Sequence, residues 1–84
     1  MTNKEKQIQD YQTKIQLMTG TFRNTSHPMV SIKRIEAKNG NPEYFEFQET
    51  DGRGRTTMGF SMPDFDYFMD EVRQYAYETF GMEL

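Results

Sequence analysis

The sequence predicts an α+β domain: an N-terminal helix, a three-stranded antiparallel meander and a C-terminal helix packed on one face of the sheet. Three observations predict it. Apolar residues recur at helical spacing near both ends of the chain, apolar and polar side chains alternate through its middle, and an Asn-Gly pair punctuates the alternation. With 84 residues the chain forms one domain, residues 1–84. Its parts are a helix within 1–20, a linker at 21–28, a sheet at 29–62 and a second helix at 63–81.

The first helix starts at a Thr2-x-x-Glu5 capping box, in which each side chain satisfies a donor of the first turn. Ile8, Tyr11, Ile15 and Met18 then fall at steps of three and four, one narrow stripe, and Gly20 supplies a stop by left-handed capping. Two heptads are too few for a coiled coil, so this helix is expected to lie on the sheet or on a partner. The polar linker "TGTFRNTSHP" holds a possible fourth edge strand around Phe22 and the lone histidine, His27.

The strands follow. "PMVSIKRIEAKNGNPEYFEFQE" reads as two strands joined at Asn39-Gly40, the dipeptide suited to a tight hairpin turn. Phe45 and Phe47 are assigned to the core, and Tyr44, Glu46 and Gln48 to the opposite face, because strand side chains alternate. After "TDGRGR", Met58, Phe60 and Met62 take the core face of the third strand, leaving Arg55, Thr57, Gly59 and Ser61 outside. Gly59, inside a strand, marks a bulge or a close backbone approach. Ser61 is expected to cap the second helix, with Pro63 in its first turn and Asp64 answering back. Phe65, Phe68, Met69, Val72, Ala76 and Phe80 form its core stripe, and Gly81 ends it.

Composition narrows the chemistry. Cysteine is absent and His27 is the single histidine, which excludes disulfides, thiol catalysis and a Cys/His zinc site. No base, nucleophile or ligand set converges, so the chain reads as a nonenzymatic binding protein without cofactor or metal. Asp64, Asp66, Asp70 and Glu71 read as a solvated helix face favoured by the helix dipole. Neither a signal peptide nor a membrane-spanning apolar run is present, and a cytoplasmic location is expected.

Charge is unevenly spread. Residues 1–38 hold seven cations against three acids, and residues 39–84 hold three arginines against ten acids. Such a split permits one basic surface on an acidic protein, and head-to-tail attraction between copies. With Lys33, Tyr44, Gln48, Arg55, Thr57 and Ser61, the uncovered sheet face mixes cations, a ring and hydrogen-bonding groups, as single-strand binders do. The same features suit a dimer interface, Tyr44 and Ile35 being apolar contributions, or cover by the first helix. Glu46 in its middle repels phosphate.

The run "VSIKRIE…EYFEFQETDGRGRTTMGFSMPDFDYFMDEV" resembles the small single-stranded nucleic-acid binders of the positive cofactor four and Pur-alpha group. Residues 29–80 reproduce that group's order: strands, a basic glycine-containing turn, a strand, and a capped helix with an early aromatic residue. The resemblance implies a homodimer joined largely through C-terminal helices, with its sheets as the nucleic-acid surface. It assigns nucleic-acid contacts to Lys33, Arg34, Tyr44, Arg53 and Arg55. The group's half-unit has four strands, and the helix within residues 1–20 has no counterpart in it. Double-stranded RNA-binding domains share the element order, but "SMPDFDYFMDE" places acids where they need lysines. The expectation of another class is an acidic phage-type interaction factor or inhibitor, a nucleic-acid mimic that docks on a basic protein through Asp66, Asp70, Glu71 and Glu78.

Overall fold

A computed structural model describes residues 2–21, 29–51 and 53–84. The possible fourth edge strand around Phe22, and His27, lie outside the described residues. In chain order the elements are α1 (Asn3–Thr21), β1 (Met29–Ile35), β2 (Tyr44–Thr50), β3 (Thr56–Met62) and α2 (Phe65–Phe80). The strands form one antiparallel sheet in the order β1-β2-β3. This is the expected α+β architecture.

Local chemistry sets the ends of each element. The Glu5 amide donates to the Thr2 hydroxyl at 3.2 Å, and that hydroxyl donates to the Glu5 carboxylate at 3.3 Å. The capping pair therefore closes through side chains. Helix α1 runs through Gly20 to Thr21 rather than stopping at the glycine, which lowers helix stability without forbidding the conformation. At the β1–β2 connection Asn39 and Gly40 both take positive φ, 52° and 83°, while Lys38 and Asn41 exchange backbone hydrogen bonds across them.

The start of α2 differs from expectation. Asp64 is the N-cap, accepting from the Tyr67 amide at 2.8 Å, whereas Ser61 belongs to β3 opposite Glu46 and Pro63 precedes the cap. Pairing of Met62 with Phe45 keeps the strand extended past Ser61. Gly81 closes the other end in the left-handed conformation, its amide bonding Tyr77 while the Met82 amide bonds Ala76.

Both helices pack on the same side of the sheet. Ile8 and Ile15 of α1 and Phe68, Met69, Val72, Tyr75 and Ala76 of α2 share one core with Val30, Ile32, Phe45 and Phe47. Phe45, Phe47 and Phe68 are fully buried, and Phe47 stacks on Phe60 with ring centres 4.9 Å apart. Truncating such a phenylalanine to alanine costs about 3–5 kcal/mol. The α1 helix spreads over β1, and Arg73 of α2 donates to the Tyr11 hydroxyl at 2.6 Å, tying the two helices. Ile35 and Tyr44 therefore do not lie under α1; they belong to the opposite face.

Helix α1 also closes one edge of the sheet. The Gln12 side-chain amide donates to the Val30 carbonyl and accepts from the Ile32 amide, both at 2.7 Å. One side chain thus fills a ladder position that would otherwise stand open.

The bulge sits at the other edge. Pairing shifts register between Glu49 and Thr50, and the extra residue is Thr57. Its hydroxyl donates to the Glu49 carboxylate at 2.9 Å, and Tyr75 of α2 donates to the other oxygen at 2.7 Å. Thr57 therefore turns to the helix side instead of joining the open face. Burial, and then the Glu49 carboxylate, push the Tyr75 hydroxyl above the ordinary tyrosine range. Gly59 lies past the bulge, where an added Cβ would come within 3.1 Å of the Phe47 carbonyl oxygen. Of the two meanings of a strand glycine, close backbone approach is the one found.

Candidate binding surfaces

The sheet face that no described helix covers carries Ser31, Lys33 and Ile35 from β1, Tyr44, Glu46 and Gln48 from β2, and Gly59 and Ser61 from β3, by strand alternation and the observed register. Lys33 stands directly opposite Glu46, which stands opposite Ser61. The exposed ammonium and the half-buried carboxylate therefore offset each other in the middle of the face. Gly59 leaves a shallow depression of about 230 Å³ beside Gln48 and Ser61.

Arg34 does not share that face. It has the parity of Val30 and Ile32, and its guanidinium meets Glu43 at 2.5 Å, Glu36 at 3.2 Å and Glu5 at 3.3 Å. The Glu43 bond and the surrounding carboxylates push the guanidinium further up, while the Arg34 hydrogen bond holds Glu43 below the ordinary carboxylate range. This knot fastens the start of α1 to the β1–β2 hairpin. It borders a groove of about 370 Å³ between α1 and β1, floored by Ile8 and Ile32.

The turn between β2 and β3 is organised by Asp51. One carboxylate oxygen accepts the Arg53 and Arg55 amides at 2.8 and 3.0 Å, and the other accepts the Arg55 guanidinium at 3.0 Å. The two amides, Arg55 first, hold this carboxyl below its ordinary value. Arg55 is thus partnered inside its own turn. No acid among the described residues holds the Arg53 guanidinium or the Lys33 ammonium.

The five candidate nucleic-acid contacts are consequently dispersed. Lys33 and Tyr44 share the open face, Arg34 lies on the other, and Arg53 and Arg55 occupy the far end of β2 from Tyr44. At about 3.3 Å per residue, the length of β2 separates the tyrosine from the turn by about 20 Å.

The acidic candidates gather more closely. Asp66, Asp70, Glu71 and Glu78 fall on the outward arc of α2, away from Phe68, Val72 and Ala76. Asp70 pairs with Arg73, and Glu78 accepts from Gln74 at 3.0 Å. Two tyrosines share this arc, Tyr67 at 60% and Tyr77 at 61% exposure. Ten residues apart, they are separated by about 15 Å along the helix. Sequence reading passed over both, although their spacing from the buried stripe already turns them outward.

No family model, no curated protein and no solved structure matches the chain. Among the described residues, no helix is long and apolar enough to cross a membrane.

Proposed function

We propose that the protein is a nonenzymatic interaction factor whose α2 helix docks on a basic protein surface. The observation that carries this reading is the pair of exposed rings, Tyr67 and Tyr77, set among Asp66, Asp70, Glu71 and Glu78. Tyrosine is enriched among the residues that dominate binding energy, because it adds contact area and a polar tip at low entropic cost. The acids select the sign of the partner and speed its approach. Only Arg73 offsets them on this arc, and it is already engaged with Asp70 and Tyr11.

A second reading is single-stranded nucleic-acid binding by the open sheet face, with Lys33, Tyr44 and Arg53 as contacts. It is favoured by the uncovered face and by two cations that hold no acid among the described residues. Magnitude ranks it second. Phosphate-driven affinity grows with the number of cations that meet the strand, and Glu46 cancels one of the few available.

The experiment is affinity capture from lysate with the wild-type chain and a Tyr67→Ala/Tyr77→Ala variant, alongside anisotropy titration of single-stranded oligonucleotides. A basic protein retained by the wild type and lost by the variant supports docking through α2. Equal retention by both chains removes the tyrosine face from the proposal. Salt-sensitive oligonucleotide binding that Lys33→Ala and Arg53→Ala weaken replaces the first reading with the second.

A further inference from the structure

The two edges of the sheet are treated differently. On β1 the Gln12 amide occupies the outward-facing Val30 carbonyl and Ile32 amide. Among the described residues the outer edge of β3 has no strand beside it, and the strand, "TTMGFSM", contains neither charge nor proline. Native proteins ordinarily blunt such an edge with charge, proline, a bulge or a cover. Here the bulge disturbs only the beginning of β3, leaving Met58–Met62 regular.

Which backbone groups face outward follows from Gln12. It meets Val30 and Ile32 from outside, so the β1 residues bonded to β2 are Ser31 and Lys33, whose partners are Gln48 and Glu46. Phe45, Phe47 and Glu49 must then bond β3, through Met62, Phe60 and Met58. The N–H and C=O groups of Gly59 and Ser61 are left pointing away from the sheet.

We propose that this edge pairs with the same edge of a second copy, antiparallel about a two-fold axis at Phe60, joining two three-stranded sheets into one of six. In this register Gly59 faces Ser61 of the second copy and Ser61 faces its Gly59, so all four outward groups on each chain are satisfied. Phe60 opposes Phe60, and Met58 opposes Met62, on the helix side. The facing pairs are aromatic or apolar, the kind that stabilise neighbouring strands. Met58, at 39% exposure, gains cover.

Charge identifies the occupant as a second copy in antiparallel orientation. The β3 strand is preceded by Arg53 and Arg55 and followed by Asp64 and Asp66. Antiparallel pairing brings the arginine turn of one copy to the aspartates of the other at both ends of the seam. Parallel pairing would set arginine beside arginine. The neutral strand between imposes no like-charge penalty on self-association.

Sedimentation velocity over a dilution series tests the seam with the full chain. The wild type is expected at twice the 10.0 kDa chain mass, dissociating on dilution. Ser61→Pro removes an outward N–H from each copy without touching the bonds to β2, and is expected to give a monomer. Arg53→Glu places like charges together and should raise the dimer dissociation constant by at least about tenfold. Arg53→Glu/Asp66→Arg should restore association. Amide exchange on the wild type gives a readout independent of variant folding: Gly59 and Ser61 are slow in concentrated samples and accelerate on dilution. A wild type that is monomeric at every concentration overturns the proposal. So does a dimer insensitive to both Ser61→Pro and Arg53→Glu, or one whose Gly59 and Ser61 amides exchange freely.

Discussion

Replacing Gln12 by glutamate changes one side-chain amide nitrogen to oxygen and tests the joint between α1 and the sheet. In the wild type the amide donates to Val30 and accepts from Ile32, each at 2.7 Å. A net stabilisation of about 1 kcal/mol per hydrogen bond gives the pair about 2 kcal/mol, the expected cost of Gln12→Ala. Set against a total of about 4–13 kcal/mol for a domain of this length, that is a substantial fraction. It corresponds to a melting-temperature drop of about 8–16 °C.

Glutamate keeps the acceptor for Ile32 but points a second carboxylate oxygen at the Val30 carbonyl. At neutral pH the variant therefore loses one bond and gains a repulsion, making it at least as unstable as Gln12→Ala. Protonation restores a donor. The carbonyl favours the neutral acid, so the folded-state pKa of the introduced carboxyl rises above its unfolded value, and stability returns as pH falls through that raised value. The assay is urea unfolding of wild type, Gln12→Ala and Gln12→Glu at neutral and mildly acidic pH, each variant compared with wild type at the same pH. The glutamate variant should converge on wild type in acid while the alanine variant keeps its deficit. A pH-independent gap between Gln12→Glu and wild type would refute the ladder role of this amide.

Other expectations concern single groups. Tyr75→Phe removes the hydrogen bond to Glu49, an acceptor that is charged when ionised, and should cost about 1.5–3 kcal/mol in denaturant unfolding. Because the folded-state value of the Tyr75 hydroxyl is raised, its contribution is complete below the ordinary tyrosine range and is lost as pH rises toward the folded value. Alkaline titration should show cooperative loss of structure in the wild type and a weaker pH dependence in the phenylalanine variant. Asp51 shifts the opposite way, so the order it gives the arginine turn is complete above its unfolded value and lost as pH falls through the lowered folded one. Amide exchange at Arg53 and Arg55, corrected for intrinsic rates, should lose protection in acid, and Asp51→Asn should remove that acid dependence. Gly59→Ala places a methyl 3.1 Å from the Phe47 carbonyl and should cost about 1–3 kcal/mol, read from the shift in urea midpoint.

The fold was legible where one residue type has one physical use. Asn39-Gly40 tolerates positive φ at both positions, and the Phe45/Phe47 alternation leaves one choice of face once a core is required. Helix-two spacing found the buried stripe but omitted Tyr75, whose polar tip is accommodated only because Glu49 stands across from it. That pairing is separated by 26 residues and has no local signature. Gln12 is hidden for the same reason: a glutamine in a polar helix looks solvated until β1 arrives beside it. Ser61 lost the capping position to Asp64 because a ladder partner, Phe45, holds the strand extended further than local capping rules expect.

Charge shows the limit of reading residues singly. Sequence offered Lys33, Arg34, Arg53 and Arg55 as one basic set, but folding gives Arg34 three carboxylates and Arg55 one. Lys4, Lys14 and Arg73 are likewise partnered by Glu43, Asp10 and Asp70. These five cations take six of the thirteen acids, Glu5, Asp10, Glu36, Glu43, Asp51 and Asp70. Asp64, Asp66, Glu71, Glu78 and Glu83 are five of the seven acids that hold no cation among the described residues, and all lie on or beside α2. The outward arc of α2 is therefore negative even though the first 38 residues are basic. Arg53, which holds no acid among the described residues, stands beside the β3 edge, which no described strand covers and where a second copy would bring Asp64 and Asp66 alongside it. Nucleic acid and the second copy therefore compete for the same arginine, and docking through the α2 arc shares Asp66 with the seam.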